Sequence, residues 1–148
     1  MSRTILVTGG YSGLGAAIIL AMENDPAFVN DKIIAFDKLA GDDVLYPLDT
    51  CVHDFDVDIL INCAGINITG WLENFEESNW DAVMDVNAKG IFTMPKFALP
   101  GLITRRGTIL NIVSNASHMP MTCSIAYNAS KGAAHIMTLQ MARELTKK

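Results

Sequence analysis

Tyr127 and Lys131 stand four positions apart in the segment YNASK, and Ser114 precedes the tyrosine by 13 positions. On a helix, residues i and i+4 share a face, so the phenol and the ammonium can meet in one site. A free phenol has a pKa of about 10, too high for a base near neutrality, but a cation within roughly 4–6 Å favours the phenolate and lowers that value. Lys131 would supply the charge, which makes the pair a candidate general acid and base. Ser114, at the C-terminal end of an apolar run, can donate to an oxygen on which negative charge develops. Each residue also has a plainer use: the pair as two neighbours on an amphipathic surface, the serine as a strand-end cap.

A second concentration of informative residues is VTGGYSGLG, Val7 to Gly15, with four glycines in nine positions. Ordered glycine costs backbone entropy, so this density needs a steric reason: a tight turn, or a backbone that a ligand must approach. The glycines follow the apolar run Thr4–Thr8 and lead into a helical pattern, Gly13–Asn24. The next apolar run, Lys32–Asp37, ends in an acid, Asp37, 22 positions after Gly15. This is dinucleotide-binding geometry, because a helix N-terminus offers unpaired N–H groups and a positive dipole end to a pyrophosphate. Asp37 would accept hydrogen bonds from ribose hydroxyls. A ligand-free turn and a turn-forming aspartate remain the alternatives.

The elements that must carry these residues alternate in type. Strands are expected at Thr4–Thr8, Lys32–Asp37, Val57–Asn62 and Thr108–Ser114, each nearly continuous in apolar residues, as parallel strands covered on both faces are. Helices are expected at Gly13–Asn24, at Ser78–Leu102 with Ser78 as its cap, and at Ala126–Lys147. Pro95 lies inside the long one, where it should remove a hydrogen bond and bend the helix. Repeated strand, helix, strand order means βαβ units and an α/β fold in a single domain spanning residues 1–148.

Composition narrows the partners. A net charge of -5 without clusters of Lys or Arg leaves no footprint for nucleic acid or an anionic membrane, and no apolar run approaches a membrane span. Cys51, Cys63 and Cys123 form neither a CxxC pattern nor a disulfide framework, which fits reduced thiols in a cytoplasm. His53, His118 and His135 lack partners at ligand spacing, so no metal site is expected. Met119, Met121, Met137 and Met141 suit packing or an apolar pocket.

The glycine spacing is TGxxxGxG, on Thr8, Gly9, Gly13 and Gly15. Together with NCAG at Asn62–Gly65, DVNAKG at Asp85–Gly90, Ser114, and YNASK at Tyr127–Lys131, it resembles the short-chain dehydrogenase/reductase family. The resemblance covers nearly the whole chain. It implies a Rossmann-like, doubly wound parallel sheet in three layers, and interconversion of a small-molecule alcohol and a carbonyl by hydride transfer. Tyr127 would be the acid/base, Ser114 the donor to the substrate oxygen, Lys131 the charge that also holds the nicotinamide ribose, and Asn87 the holder of a water passing protons toward Lys131. The cofactor-binding set would be Thr8, Gly9, Tyr11, Ser12, Gly13, Leu14, Gly15, Asp37, Asp49, Asn62, Ala64, Gly65, Tyr127 and Lys131. With an acid at position 37, NAD(H) should be favoured over NADP(H), since a 2′-phosphate would meet a carboxylate. A homo-oligomer paired through the two long helices is also implied. A catalytically silent dinucleotide-binding or interaction module, or an inactive fragment of a longer enzyme, is the other reading.

Two departures from the family's pattern carry further expectations. Asp37 to Asp49 leaves eleven intervening residues and Asp49 to Asn62 twelve, too few for both crossover helices. Residues 38–56 should therefore be largely irregular and the third family strand stunted or lost. Cys63 replaces the family's second asparagine. The chain also stops at Lys148, before the family's last two strands and substrate-covering loop. In this form it should bind dinucleotide weakly, associate through the apolar edge of the strand leading to Ser114, and turn over slowly.

Overall fold

The computed structural model describes residues 2–41 and 56–146. Among them, β1 (Thr4–Thr8), β2 (Lys32–Phe36), β3 (Ile59–Asn62) and β4 (Thr108–Asn111) form one parallel sheet in the order β2-β1-β3-β4. Its helices are α1 (Gly13–Glu23), α2 (Glu77–Met84), α3 (Gly90–Arg105) and α4 (Ile125–Leu145). Placing β1 between β2 and β3 is the reversal of strand order on which the Rossmann-like fold depends.

The period of two along β1 sends Leu6 to one face and Ile5 and Val7 to the other. Leu6 joins Phe36, Val57 and Leu60 against Met94, Ala98 and Leu102, a stripe of every fourth residue on α3. Ile5 and Val7 join Ile61 against Ile18, Ile19 and Met22 of α1. The sheet is thus the middle of three layers, and full burial of side chains such as Leu6 contributes about 1.5–3 kcal/mol each. At the entrance to the sheet, Arg3 donates from its backbone N–H and from Nε to the Asp31 carboxylate, both at 2.9 Å, and its guanidinium lies over Phe28.

By their contacts the residues fall into two compact units, Met1–Ala64 with Thr93–Ile112, and Gly65–Phe92 with Val113–Lys148. The first holds the sheet and α1. The second holds α2 and α4. No helix among the described residues is long and apolar enough to cross a membrane.

Several expected boundaries move. The run Lys32–Asp37 leaves the sheet at Phe36, because Asp37 turns to cap a short 3-10 turn, Lys38–Ala40. Val57–Asn62 begins its ladder only at Ile59, since Asp58 is occupied with both backbone groups of Thr4. Thr108–Ser114 ends as a strand at Asn111, and Ser114 caps a 3-10 turn, Asn115–Ser117. The partner strand has by then left the sheet, as the Cys63 N–H goes to the Thr8 hydroxyl rather than to a ladder. Ser78 is not a cap: Glu76 is the N-cap residue, its carbonyl accepting from Asn79 and Trp80, so Ser78 sits within the first turn. The long helix is also two helices, α2 and α3, with a π turn at Asp85–Lys89 between them. It runs through Pro95 and Pro100 to Arg105. The first helix ends at Glu23 with Asn24 as its cap, and the last runs from Ile125 to Leu145. Asp49, Cys51, His53, residues 42–55 and the stunted strand expected there lie outside the described residues, as does Lys147.

Candidate active site

The first unit carries the glycine turn. Thr8 ends β1 with its hydroxyl accepting from the N–H groups of Cys63 at 3.0 Å and Ala64 at 3.1 Å, so this buried residue holds the start of NCAG in place. A Cβ on Gly9 would stand 2.9 Å from the Ala64 Cα, and one on Gly10 2.7 Å from the Ala35 Cβ. One on Gly15 would overlap the Gly9 carbonyl oxygen. These three glycines answer to the protein's own packing. Gly13 differs: its φ is +50° and nothing lies within 4 Å of where its Cβ would be.

That open position sits at the start of α1, where Ser12 is the N-cap residue in an extended conformation with no side-chain capping bond. Tyr11, Ser12, Gly13 and Leu14 are exposed, and among the described residues no side chain caps the N–H groups that open α1. Such a backbone cradle fits a pyrophosphate. Asp37, 7% exposed, accepts from the Leu39 N–H at 3.0 Å and the Tyr11 N–H at 3.1 Å, tying the glycine turn to the end of β2.

At the C-terminal end of the sheet, Thr8, Asn62 and Asn111 occupy one register row on β1, β3 and β4. The Asn62 amide donates to Asn111 Oδ1 at 2.8 Å, while its buried Oδ1 has no partner among the described residues. An unmet buried acceptor costs about 1–3 kcal/mol, so a donor arriving there would be taken up readily. Sequence reasoning passed over Asn111. Its signal was a polar residue interrupting the apolar run TILNIVS.

The second unit carries the acid/base candidates. Tyr127 is half-buried in the first turn of α4 and Lys131 is buried at 4% exposure, with Nζ over the phenol ring, 5.8 Å from its centroid. The i, i+4 spacing brings the two together as expected. Ser114 Oγ accepts from the Ala116 N–H at 3.1 Å and donates to Asn115 Oδ1 at 3.2 Å, and the turn Asn115–Ser117 packs on α4. Since the backbone N–H holds the oxygen and Asn115 is exposed, the hydroxyl proton can be redirected cheaply.

Asn87 lies in the π turn and is fully buried. Its Oδ1 accepts from the Ile66 N–H, and its Nδ2 donates to the Ile66 carbonyl, each at 2.8 Å, and to Ser130 Oγ at 3.0 Å. Both amide hydrogens are thereby taken, and π turns of this kind recur at functional sites. Gly65, exposed, immediately precedes the clamped Ile66. Ser130, buried beside Lys131, was not singled out in the sequence, where a serine inside a helix carries no distinctive mark. Among the described residues no three His, Cys, Asp or Glu side chains stand together as metal ligands, and neither Cys63 nor Cys123 forms a disulfide.

Comparison with known proteins gives this geometry a context. A profile of the short chain dehydrogenase family matches residues 31–148. An uncharacterized oxidoreductase of Staphylococcus aureus is 31% identical over 98% of this chain and 72% of its own length. A (+)-borneol dehydrogenase of Salvia officinalis is 33% identical over 99% of this chain and 61% of its own. In fold, an alcohol dehydrogenase of Thermococcus sibiricus, solved with 5-hydroxy-NADP, superposes with a TM-score of 0.82 at 20% identity, covering 99% of this chain and 72% of that one. The chain thus spans between 61% and 72% of the lengths of these relatives. With a parallel sheet, a glycine turn opening α1 and a matched profile over most of its residues, the chain belongs to the short-chain dehydrogenase family of NAD(P)-dependent oxidoreductases.

Proposed function

We propose that this chain binds NAD(H) in preference to NADP(H) and interconverts a secondary alcohol and a carbonyl, with Tyr127 as general acid and base. The observation that carries this reading is the buried Lys131 ammonium over the half-buried Tyr127 ring. A cation there stabilises the phenolate left when the tyrosine gives up its proton. The bound nicotinamide supplies or accepts the hydride. In reduction, Tyr127 delivers a proton to the substrate oxygen, and Ser114 turns its hydroxyl from Asn115 to that same oxygen. In oxidation, Tyr127 takes the proton back. Gly13 and the start of α1 hold the pyrophosphate, and Thr8, Gly9, Asn62 and Ala64 of the same unit line the remainder of the cofactor path there. A protein with reduced thiols acting on a small molecule fits a cytoplasmic setting.

The test is turnover of secondary alcohols and ketones by the purified chain. General acid/base groups contribute about 10²–10⁴-fold, so Tyr127→Phe should lower kcat at least 100-fold. Retention of full turnover would remove Tyr127 from the chemistry. Preference for the unphosphorylated cofactor rests on the buried carboxylate of Asp37 at the end of β2. Fluorescence titration should give NADH a dissociation constant roughly tenfold or more below that of NADPH, about 1.4 kcal/mol. Tighter NADPH binding would refute it.

A further inference from the structure

A continuous hydrogen-bond chain runs through the second unit from the residue after Gly65 to the acid/base helix. The Asn87 side chain pairs with both backbone groups of Ile66, at 2.8 Å each, in the manner of a neighbouring strand. Its second amide hydrogen goes to Ser130 Oγ at 3.0 Å, and the Ser130 hydroxyl donates in turn to the Tyr127 carbonyl at 2.8 Å. Asn87 and Ser130 are both fully buried, so the bond between their side chains is shielded from water. A helical serine commonly bonds back to a carbonyl one turn earlier, and its hydroxyl otherwise rotates at little cost. Here the hydroxyl is held at both ends, as acceptor from Asn87 and donor to Tyr127. Bonds linked in this way polarise one another in a low-dielectric interior.

We propose that Ser130 is a positioning residue for the reaction, setting where Tyr127 stands relative to the Ile66 segment through this chain. The proposal rests on the acid/base reading of Tyr127. Packing alone would leave the first turn of α4 free to shift, and its N–H and C=O groups lie where helices fray. The serine removes that freedom at the residue whose phenol must meet a substrate oxygen. Asn87 is suited to the other end of the chain because one carboxamide offers two donors and an acceptor, whereas aspartate offers no donor. The geometry therefore makes Ser130 the link by which the segment bearing Gly65 and the helix bearing Tyr127 hold one register.

Ser130→Ala, Ser130→Thr and Tyr127→Phe in the full chain test this. A displacement of reacting groups by an ångström costs on the order of 10²-fold, so Ser130→Ala should lower kcat about 10- to 100-fold. Substrate KM and the NADH dissociation constant should stay within about twofold of the parent, and Ser130→Thr, which keeps the hydroxyl, should recover most of the loss. Independently of turnover, amide exchange at Ile66 should quicken about tenfold in Ser130→Ala and return in Ser130→Thr, as expected when a local opening is loosened. Unchanged kcat and unchanged Ile66 exchange in Ser130→Ala would overturn the proposal, as would a loss that Ser130→Thr shares in full. Undiminished turnover by Tyr127→Phe would overturn the acid/base reading and the role of Ser130 with it. Loss in Tyr127→Phe without loss in Ser130→Ala would overturn only the positioning.

Discussion

Gly13 and Gly15 sit two positions apart in the same turn yet are constrained by different things. At Gly15 a Cβ would strike the Gly9 carbonyl oxygen, while at Gly13 it would meet nothing, and only the backbone angle of +50° asks for glycine. Asparagine tolerates that left-handed conformation, so Gly13→Asn should cost under about 1 kcal/mol of stability while placing a side chain in the cradle. Its NADH dissociation constant should rise at least tenfold, about 1.4 kcal/mol. Gly15→Ala should instead destabilise by about 1–3 kcal/mol or prevent folding, because the overlapped atom is backbone. Denaturant midpoints beside cofactor titrations separate the two outcomes. The sequence offered both explanations for the glycines: packing accounts for Gly9, Gly10 and Gly15, while approach of a ligand is what the proposed cofactor site would ask of Gly13. No spacing rule could have divided them, because the division depends on how the folded turn brings the Gly9 carbonyl to Gly15 and on Ala35 and Ala64, which reach the turn from elsewhere in the fold.

The ends of β1 and β2 are held by an ion pair whose partners lie outside both strands. The Arg3 guanidinium, and next its backbone N–H, hold the Asp31 carboxyl below the ordinary carboxylate range. A carboxylate with a folded-state pKa below its unfolded value of about 3.9 stabilises fully above that value, and the contribution is lost as pH falls through the folded value. Asp31→Asn should therefore be less stable than the parent at neutral pH and lose less as pH falls below about 4, as urea midpoints across that range will show. Strands and helices were legible wherever apolar period and caps agreed, as in β1 and α1. They were misread where a side chain overrode the ladder. Asp37 and Ser114 each close a 3-10 turn with their own oxygens, so apolar runs that read as strand through both residues stop short of them. The π turn at Asp85–Lys89 left no trace in the apolar pattern. It joins α2 to α3 with a wider turn, and Asn87 within it pairs with Ile66 and Ser130, residues distant in sequence.

Assembly through the helical faces is a proposal that the exposed apolar residues make testable. Of the apolar residues that could mediate it, Val83 is buried, whereas Phe92, Ile136 and Leu139 are 55%, 63% and 55% exposed. Ile136 and Leu139 lie one turn apart on α4, which suits pairing with a second copy of the same helix. Sedimentation at micromolar concentration should show an oligomer that Ile136→Lys with Leu139→Lys converts to monomer with its fold retained; a parent that sediments only as monomer would refute this. The strand order bears on how such a chain reaches its native state. β1 emerges first during synthesis, and its pairing with β2 closes a span of 28 residues, as the Arg3–Asp31 contact does. Its other edge waits for β3, across the 54 residues that separate Thr4 from Asp58, and β3 waits a further 49 for β4. The most buried strand therefore stands half-paired until β3 arrives, and β3 then stands half-paired for longer still. Long-range parallel pairing slows folding and exposes intermediates to self-association, so the nascent chain passes through two open-edged intervals, first along the Ile5, Leu6 and Val7 backbone and then, for longer, along that of Ile59 to Asn62, each awaiting residues the ribosome has yet to release.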